Sequence, residues 1–224
     1  MPDIARTLYQ ISIWALPAIF AITLHEAAHG FVARRLGDDT AYHLGRVSLN
    51  PIRHIDIFGT ILLPVMLLLV RSPFMFGYAK PVPVNFRNLR NPRRDMMLVA
   101  IAGPATNFLL AAISALLANL LPYLPDVARP WAAFNLWNSI TLNLILAVFN
   151  MIPLPPLDGG RVLLGLLPRP LAIPFVKLER FGMLILIGLI FLLPLASPDF
   201  DIFGWVLRPA VNMLLRLIAP LAGG

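Results

Sequence analysis

Apolar and polar stretches alternate along the chain at intervals that match membrane helices. A first apolar run spans about Leu8 to Leu36 and closes on Arg34-Arg35-Leu36-Gly37, with cations in its last turn and glycine just beyond, a normal helix stop. Residues 38–56, DDTAYHLGRVSLNPIRHID, are polar, rich in turn formers and contain a β-like piece at Gly45 to Leu49, and so predict a membrane-surface loop. Ile57 to Val70 is apolar but short and interrupted by Pro64, whereas a straight span needs about twenty residues; a re-entrant or broken helix is expected. Residues 71–95 are extended in character. Met96 to Leu121 and Trp131 to Ile152 are each long enough to cross, with PYLPDVARP between them. A proline-broken stretch and a basic connector lead to Phe181–Leu195, and an apolar tail, Ile202–Leu221, carries Arg208, Pro209 and Arg216; it either spans or lies along the interface. The expected fold class is an all-α polytopic membrane protein with about five to six membrane-embedded helices, a re-entrant segment and a small β or extended element near the cytoplasmic face. A single domain over 1–224 is expected, with a core at 8–168 and accessory helices at 171–224.

Composition agrees. Of 224 residues, 58% are hydrophobic and 13% charged, too apolar for an ordinary soluble domain. The net charge of +7 would suggest nucleic acid in a soluble protein; in a membrane protein it reads as loops held on the cytoplasmic side, with the lipid bilayer as partner and no nucleic acid. If 57–70 does not cross, the basic residues from Arg34 to Arg94 and from Arg161 to Arg180 share one face, and Arg6 and Arg129 lie on the other. That face is then the cytoplasm and the N-terminus is outside, in what is expected to be the cell membrane. The first twenty residues lack a basic n-region followed by a cleavage site, so the N-terminus is expected to be retained.

The chemistry enters at Leu24-His25-Glu26-Ala27-Ala28-His29-Gly30. Two imidazoles four apart lie on one side of a helix with a carboxylate beside the first, the HExxH spacing that binds zinc and supplies a general base. Ionisable groups in so apolar a helix cost a few kcal/mol each at bilayer depth unless paired or ligated; the plainer alternative is two hydrogen-bonded core histidines. Asn107 follows Gly103-Pro104-Ala105-Thr106, where small residues permit close helix approach, and needs an interior partner. Asn143 and Asn150, seven apart, share a face; amide bonding between helices would account for the first. Asn150-Met-Ile-Pro-Leu-Pro-Pro-Leu-Asp158-Gly-Gly breaks its helix with three prolines and delivers a lone acid, which either meets a cation at the histidines or is neutralised by Arg161. With no cysteine, a zinc ion must be held by nitrogen and oxygen. In 80–85, Pro81 and Pro83 remove donors from one edge only, leaving Lys80, Val82 and Val84 to pair with a guest strand; a rigid surface loop explains the same residues. His54, near Asp56, is either a contact or gate at the mouth of the site or a surface histidine, and His43 a surface histidine.

Together the ordered trio of His25–His29, Gly103–Asn107 and Asn150–Gly159 resembles the site-2 proteases, intramembrane zinc metalloproteases, in the compact branch without PDZ or CBS domains. The resemblance implies one zinc ion per chain ligated by His25, His29 and Asp158, with Glu26 as base and Asn150 beside the substrate or helping to stabilise a developing oxyanion. It implies a transmembrane or membrane-associated protein substrate, for which Asn107, Val82 and Val84 are candidate contacts. The segment 57–70 departs from the minimal core. Competing functions are a catalytically silent zinc protein that binds a partner, a transporter, and a membrane zincin with Glu179 as third ligand. Oligomeric state and substrate identity are not legible in these residues.

Overall fold

A computed structural model describes residues 2–62, 66, 69, 79–193, 201 and 203–223. The chain is an all-α membrane protein: among the described residues four helices are long and apolar enough to cross a bilayer. α1 (Pro2–Arg35) runs 34 residues, about 51 Å at the usual rise. It stops as the sequence expects. Gly37 adopts φ 112°, and the amides of Gly37 and Asp38 turn back to the carbonyls of Arg34 and Ala33, closing the last turn in a Schellman arrangement. α2 (Thr40–His43) is a single turn.

The other long helices are α3 (Pro92–Ala118) and α4 (Arg129–Asn150). α1, α3 and α4 pack against one another as the centre of the molecule. The buried stripe of α3, Ala100, Gly103, Pro104, Asn107, Ala111, Ser114 and Ala115, recurs at helical spacing and is made of small residues. Helix backbones can therefore approach closely where the site is built. The outward faces carry exposed Leu8, Phe20, Leu109 and Trp137, the surface expected of helices whose solvent is lipid.

After α4 an irregular turn leads into α5 (Asp158–Leu166), followed by α6 (Arg169–Glu179) and α7 (Gly182–Ile187), which continues helically to Leu192. In the tail, α8 (Arg208–Ile218) sits within an apolar helical stretch, Gly204–Ala222, and sets Val211 and Ile218 against Ala111, Ala115, Ile140 and Leu144.

Among the described residues there is no strand. The expected β-like piece at 45–49 is instead a turn after α2, followed by a short helical turn at Pro51–His54 whose entry is capped by the Asn50 side chain accepting from Ile52 N–H at 3.0 Å. Residues 79–85 are irregular, without strand pairing. Ile57–Leu62 is helical, begun by Asp56, whose Oδ1 accepts from Gly59 N–H at 2.7 Å. Most of 63–78 lies outside the described residues, and with it the expected path of a re-entrant segment.

Candidate metal centre

α1 carries His25 and His29 one turn apart on its buried face, and α5 opens with Asp158, also buried. The Nε2 atoms of the two histidines stand 3.0 Å apart and each lies 3.3 Å from Asp158 Oδ2. Chain positions 25 and 158 meet because the turn after α4 folds tightly against α5. A Cβ at Gly159 would lie 2.2 Å from the Met151 carbonyl, so only glycine fits there. Arg161, the alternative partner for Asp158, stacks over the Phe86 ring at 5.3 Å instead.

Hydrogen bonds on the far side of each imidazole fix its orientation. His25 Nδ1 faces Asn107 Oδ1 at 2.5 Å, and His29 Nδ1 faces the Val99 carbonyl at 2.7 Å. The Asn107 amide is itself oriented, because its NH2 donates to the Ala21 carbonyl at 3.2 Å and to Asn143 Oδ1 at 2.8 Å, while Asn143 donates to the Ser139 carbonyl. Both Nδ1 partners are acceptors, so each Nδ1 carries the proton and each Nε2 presents a lone pair.

Three electron-pair donors thus converge in a buried space, and Asp158 Oδ2 has no hydrogen-bond donor among the described residues. Such a set repels itself without a cation. Donors about 2 Å from a shared tetrahedral centre stand roughly 3.3 Å apart, close to the 3.0, 3.3 and 3.3 Å found here. Three nitrogen and oxygen ligands with outer carbonyl partners fit zinc with one position open. The wall that leaves the room is Gly103, where a Cβ would stand 2.5 Å from both His25 Cε1 and His29 Nε2.

Glu26 is half-buried beside His25, and its Oε2 accepts the Val82 backbone N–H at 2.8 Å. Of the expected free-edge donors, Lys80 N–H is engaged with the His54 carbonyl and Val82 with Glu26; Val84 N–H has no partner among the described residues. Asn107, expected as a substrate contact, is fully buried behind His25. Asn150 is half-buried and donates to the Leu146 carbonyl of its own helix at 3.0 Å. His54 is buried, with Nε2 on the Ser48 carbonyl at 2.8 Å, so it is no surface histidine. Glu179 is not part of the cluster. Sequence reasoning missed the Val99 carbonyl, which carries no side-chain signal, and Asp38. Asp38 is buried where its carboxylate accepts from the Thr40 hydroxyl at 2.5 Å, Asn85 N–H at 2.7 Å and the Asn88 amide at 2.9 Å.

Apolar crossing helices around a His, His, Asp donor set define a class: membrane-embedded zinc metallopeptidases. Comparison with known proteins agrees. Residues 125–193 match the model of Peptidase family M50, a stretch that includes Asn150 to Asp158. The chain is 40% identical over 200 residues to YwhC of Bacillus subtilis (strain 168), covering 87% of this chain and 83% of that one. It is 27% identical over 210 residues to Rip2 of Mycolicibacterium smegmatis, covering 91% and 77%. To MJ0611 of Methanocaldococcus jannaschii it is 29% identical over 163 residues, covering 72% and 73%. All three are named as candidate zinc metalloproteases. No solved structure matches. The chain belongs to Peptidase family M50, the site-2 proteases, and its cofactor is zinc.

Proposed function

We propose that this protein hydrolyses peptide bonds of transmembrane or membrane-associated proteins at a site inside the cytoplasmic half of the cell membrane, as a single domain whose core runs from 8 to 168 and whose accessory helices follow. His25, His29 and Asp158 are the ligands and Glu26 is the general base. When bound, zinc supplies Lewis acidity to the attacking water and to the scissile carbonyl. Glu26 accepts a proton from the water as the new C–O bond forms and passes it to the amine as the C–N bond breaks. Asn150, once turned from Leu146, is the candidate donor to the developing oxyanion. A helical substrate must unwind before it is cut, and Val84 N–H is the donor left to hold its extended backbone, with Val82 shaping that edge. Asn107 acts from behind His25.

Orientation follows from charge. With 57–70 not crossing, the cations of 34–94 and 161–180 share one face, and the positive-inside rule then supports a cytoplasmic assignment for it, with the N-terminus and the α3–α4 connection outside. His25 and His29 lie six to ten residues before the end of α1, roughly 9–15 Å deep.

The observation that carries this reading is the convergence of three lone pairs beside a carboxylate, in a chain 87% of which aligns with YwhC. Cells carrying wild type and Glu26→Gln are compared by membrane proteomics, with zinc measured in the purified proteins. The expected result is loss of specific membrane fragments in the variant at unchanged zinc content. Identical fragments in both would leave the silent zinc-binding partner as the better reading.

A further inference from the structure

Residues 79–90 have no sheet or helix to hold them, and Pro81 and Pro83 cannot donate to one. What the prolines do is fix their own φ and keep Lys80 and Val82 extended, which sets the direction of the intervening amide. The position of that amide must come from side chains. Asp38 is fully buried just beyond the end of α1 and ties the segment at two points, through Asn85 N–H at 2.7 Å and the Asn88 amide at 2.9 Å. Arg90 N–H adds a bond to the Leu36 carbonyl at 3.0 Å, and buried Arg46 reaches the Lys80 carbonyl at 2.6 Å. The segment so anchored runs back along α1, seats Val82 against Gly30, where a Cβ would meet Val82 Cγ1 at 3.1 Å, and ends with Val82 N–H on Glu26 Oε2 at 2.8 Å. Glu26 Oε1 has no partner among the described residues.

From this geometry we infer that Asp38 is a positioning residue for the reaction: by clasping residues 85–88 it holds the Val82 amide on one oxygen of Glu26, which fixes the carboxylate and leaves the other oxygen to take the proton from water. The inference rests on Glu26 being the base, but the clasp itself is a structural relation that can be measured without turnover. A carboxylate that swings about its χ angles spends little time aligned, and misplacement of about 1 Å is enough to cost on the order of a hundredfold in rate. A neutral amide at position 38 has one acceptor oxygen, so it cannot accept from Asn85 N–H on one side and from Thr40 and Asn88 on the other.

The test is amide hydrogen exchange on the full zinc-loaded chain in lipid nanodiscs, with zinc content alongside. Glu26→Ala identifies the Val82 signal that depends on the carboxylate. Asp38→Asn, and the milder Asn88→Ala, are expected to speed exchange at Val82 by about tenfold or more, with α1 exchange and zinc unchanged. Exchange at Val82 equal to wild type in both variants would overturn the proposal. So would faster exchange throughout α1 with loss of zinc, which would make Asp38 a general fold residue. On a fragment whose formation depends on Glu26, Asp38→Asn should lower kcat and leave KM unchanged; a raised KM at constant kcat overturns it. If no fragment depends on Glu26, the peptidase mechanism fails while the exchange result still decides the clasp.

Discussion

Asn107 shows how much of the metal centre is set by residues that do not touch the ion. Its carbonyl oxygen takes the proton side of His25, and its NH2 is held by Ala21 and Asn143, so the amide cannot flip and His25 turns Nε2 toward His29 and Asp158. Partners of this kind are worth about 10–100-fold in metal affinity. Asn107→Ala is therefore expected to weaken zinc binding by that amount while leaving the helices folded, as read by chelator competition and circular dichroism. His29 receives the same service from the Val99 carbonyl, which no side-chain substitution removes.

Among the elements, residues 79–90 gain their place from Asp38 and Arg46 rather than from secondary structure of their own. Burial works against ionisation of Asp38, but the Thr40 hydroxyl, the Asn88 amide and the backbone N–H groups of Asn85 and Thr40 outweigh it and hold the carboxyl below its ordinary range. All of these partners are neutral donors. A lowered folded-state value means that the stabilisation is present above the unfolded carboxyl's value, about 3.9, and is lost as pH falls through the lower folded value. Asp38→Asn should accordingly lower the melting temperature at neutral pH, and the gap from wild type should close in strong acid. A gap that stayed constant with pH would assign the effect to packing. The α5 turn illustrates the complementary case, in which glycine at 159 permits a close approach that no side chain could accompany.

For the whole molecule, the arrangement predicts that residues near Tyr123 face outside and those near Arg87 face the cytoplasm. The chain contains no cysteine, so single cysteines placed at these positions report without background. Labelling of intact cells with a membrane-impermeant maleimide should mark the first and spare the second until the membrane is opened. The reverse pattern would place the metal centre in the outer half and displace the proposed site of cleavage.

The sequence by itself determined the membrane class and the long helices, and it named His25, His29 and Asp158 as candidate ligands, because hydrophobic run length, HExxH spacing and a proline-framed acid are local patterns. The stop of the first helix at Gly37 was legible for the same reason, whereas that helix begins at Pro2 and α3 at Pro92, ahead of the apolar runs at Leu8 and Met96. Only the tertiary structure decided that Asn107 serves His25, that His54 is interior, that Gly103 keeps the site open, and that Val82 spends its amide on Glu26. Each of these depends on which groups lie within bonding distance across tens of residues of chain, and the free energy of a hydrogen bond or a steric clash carries no trace in the order of the residues that make it.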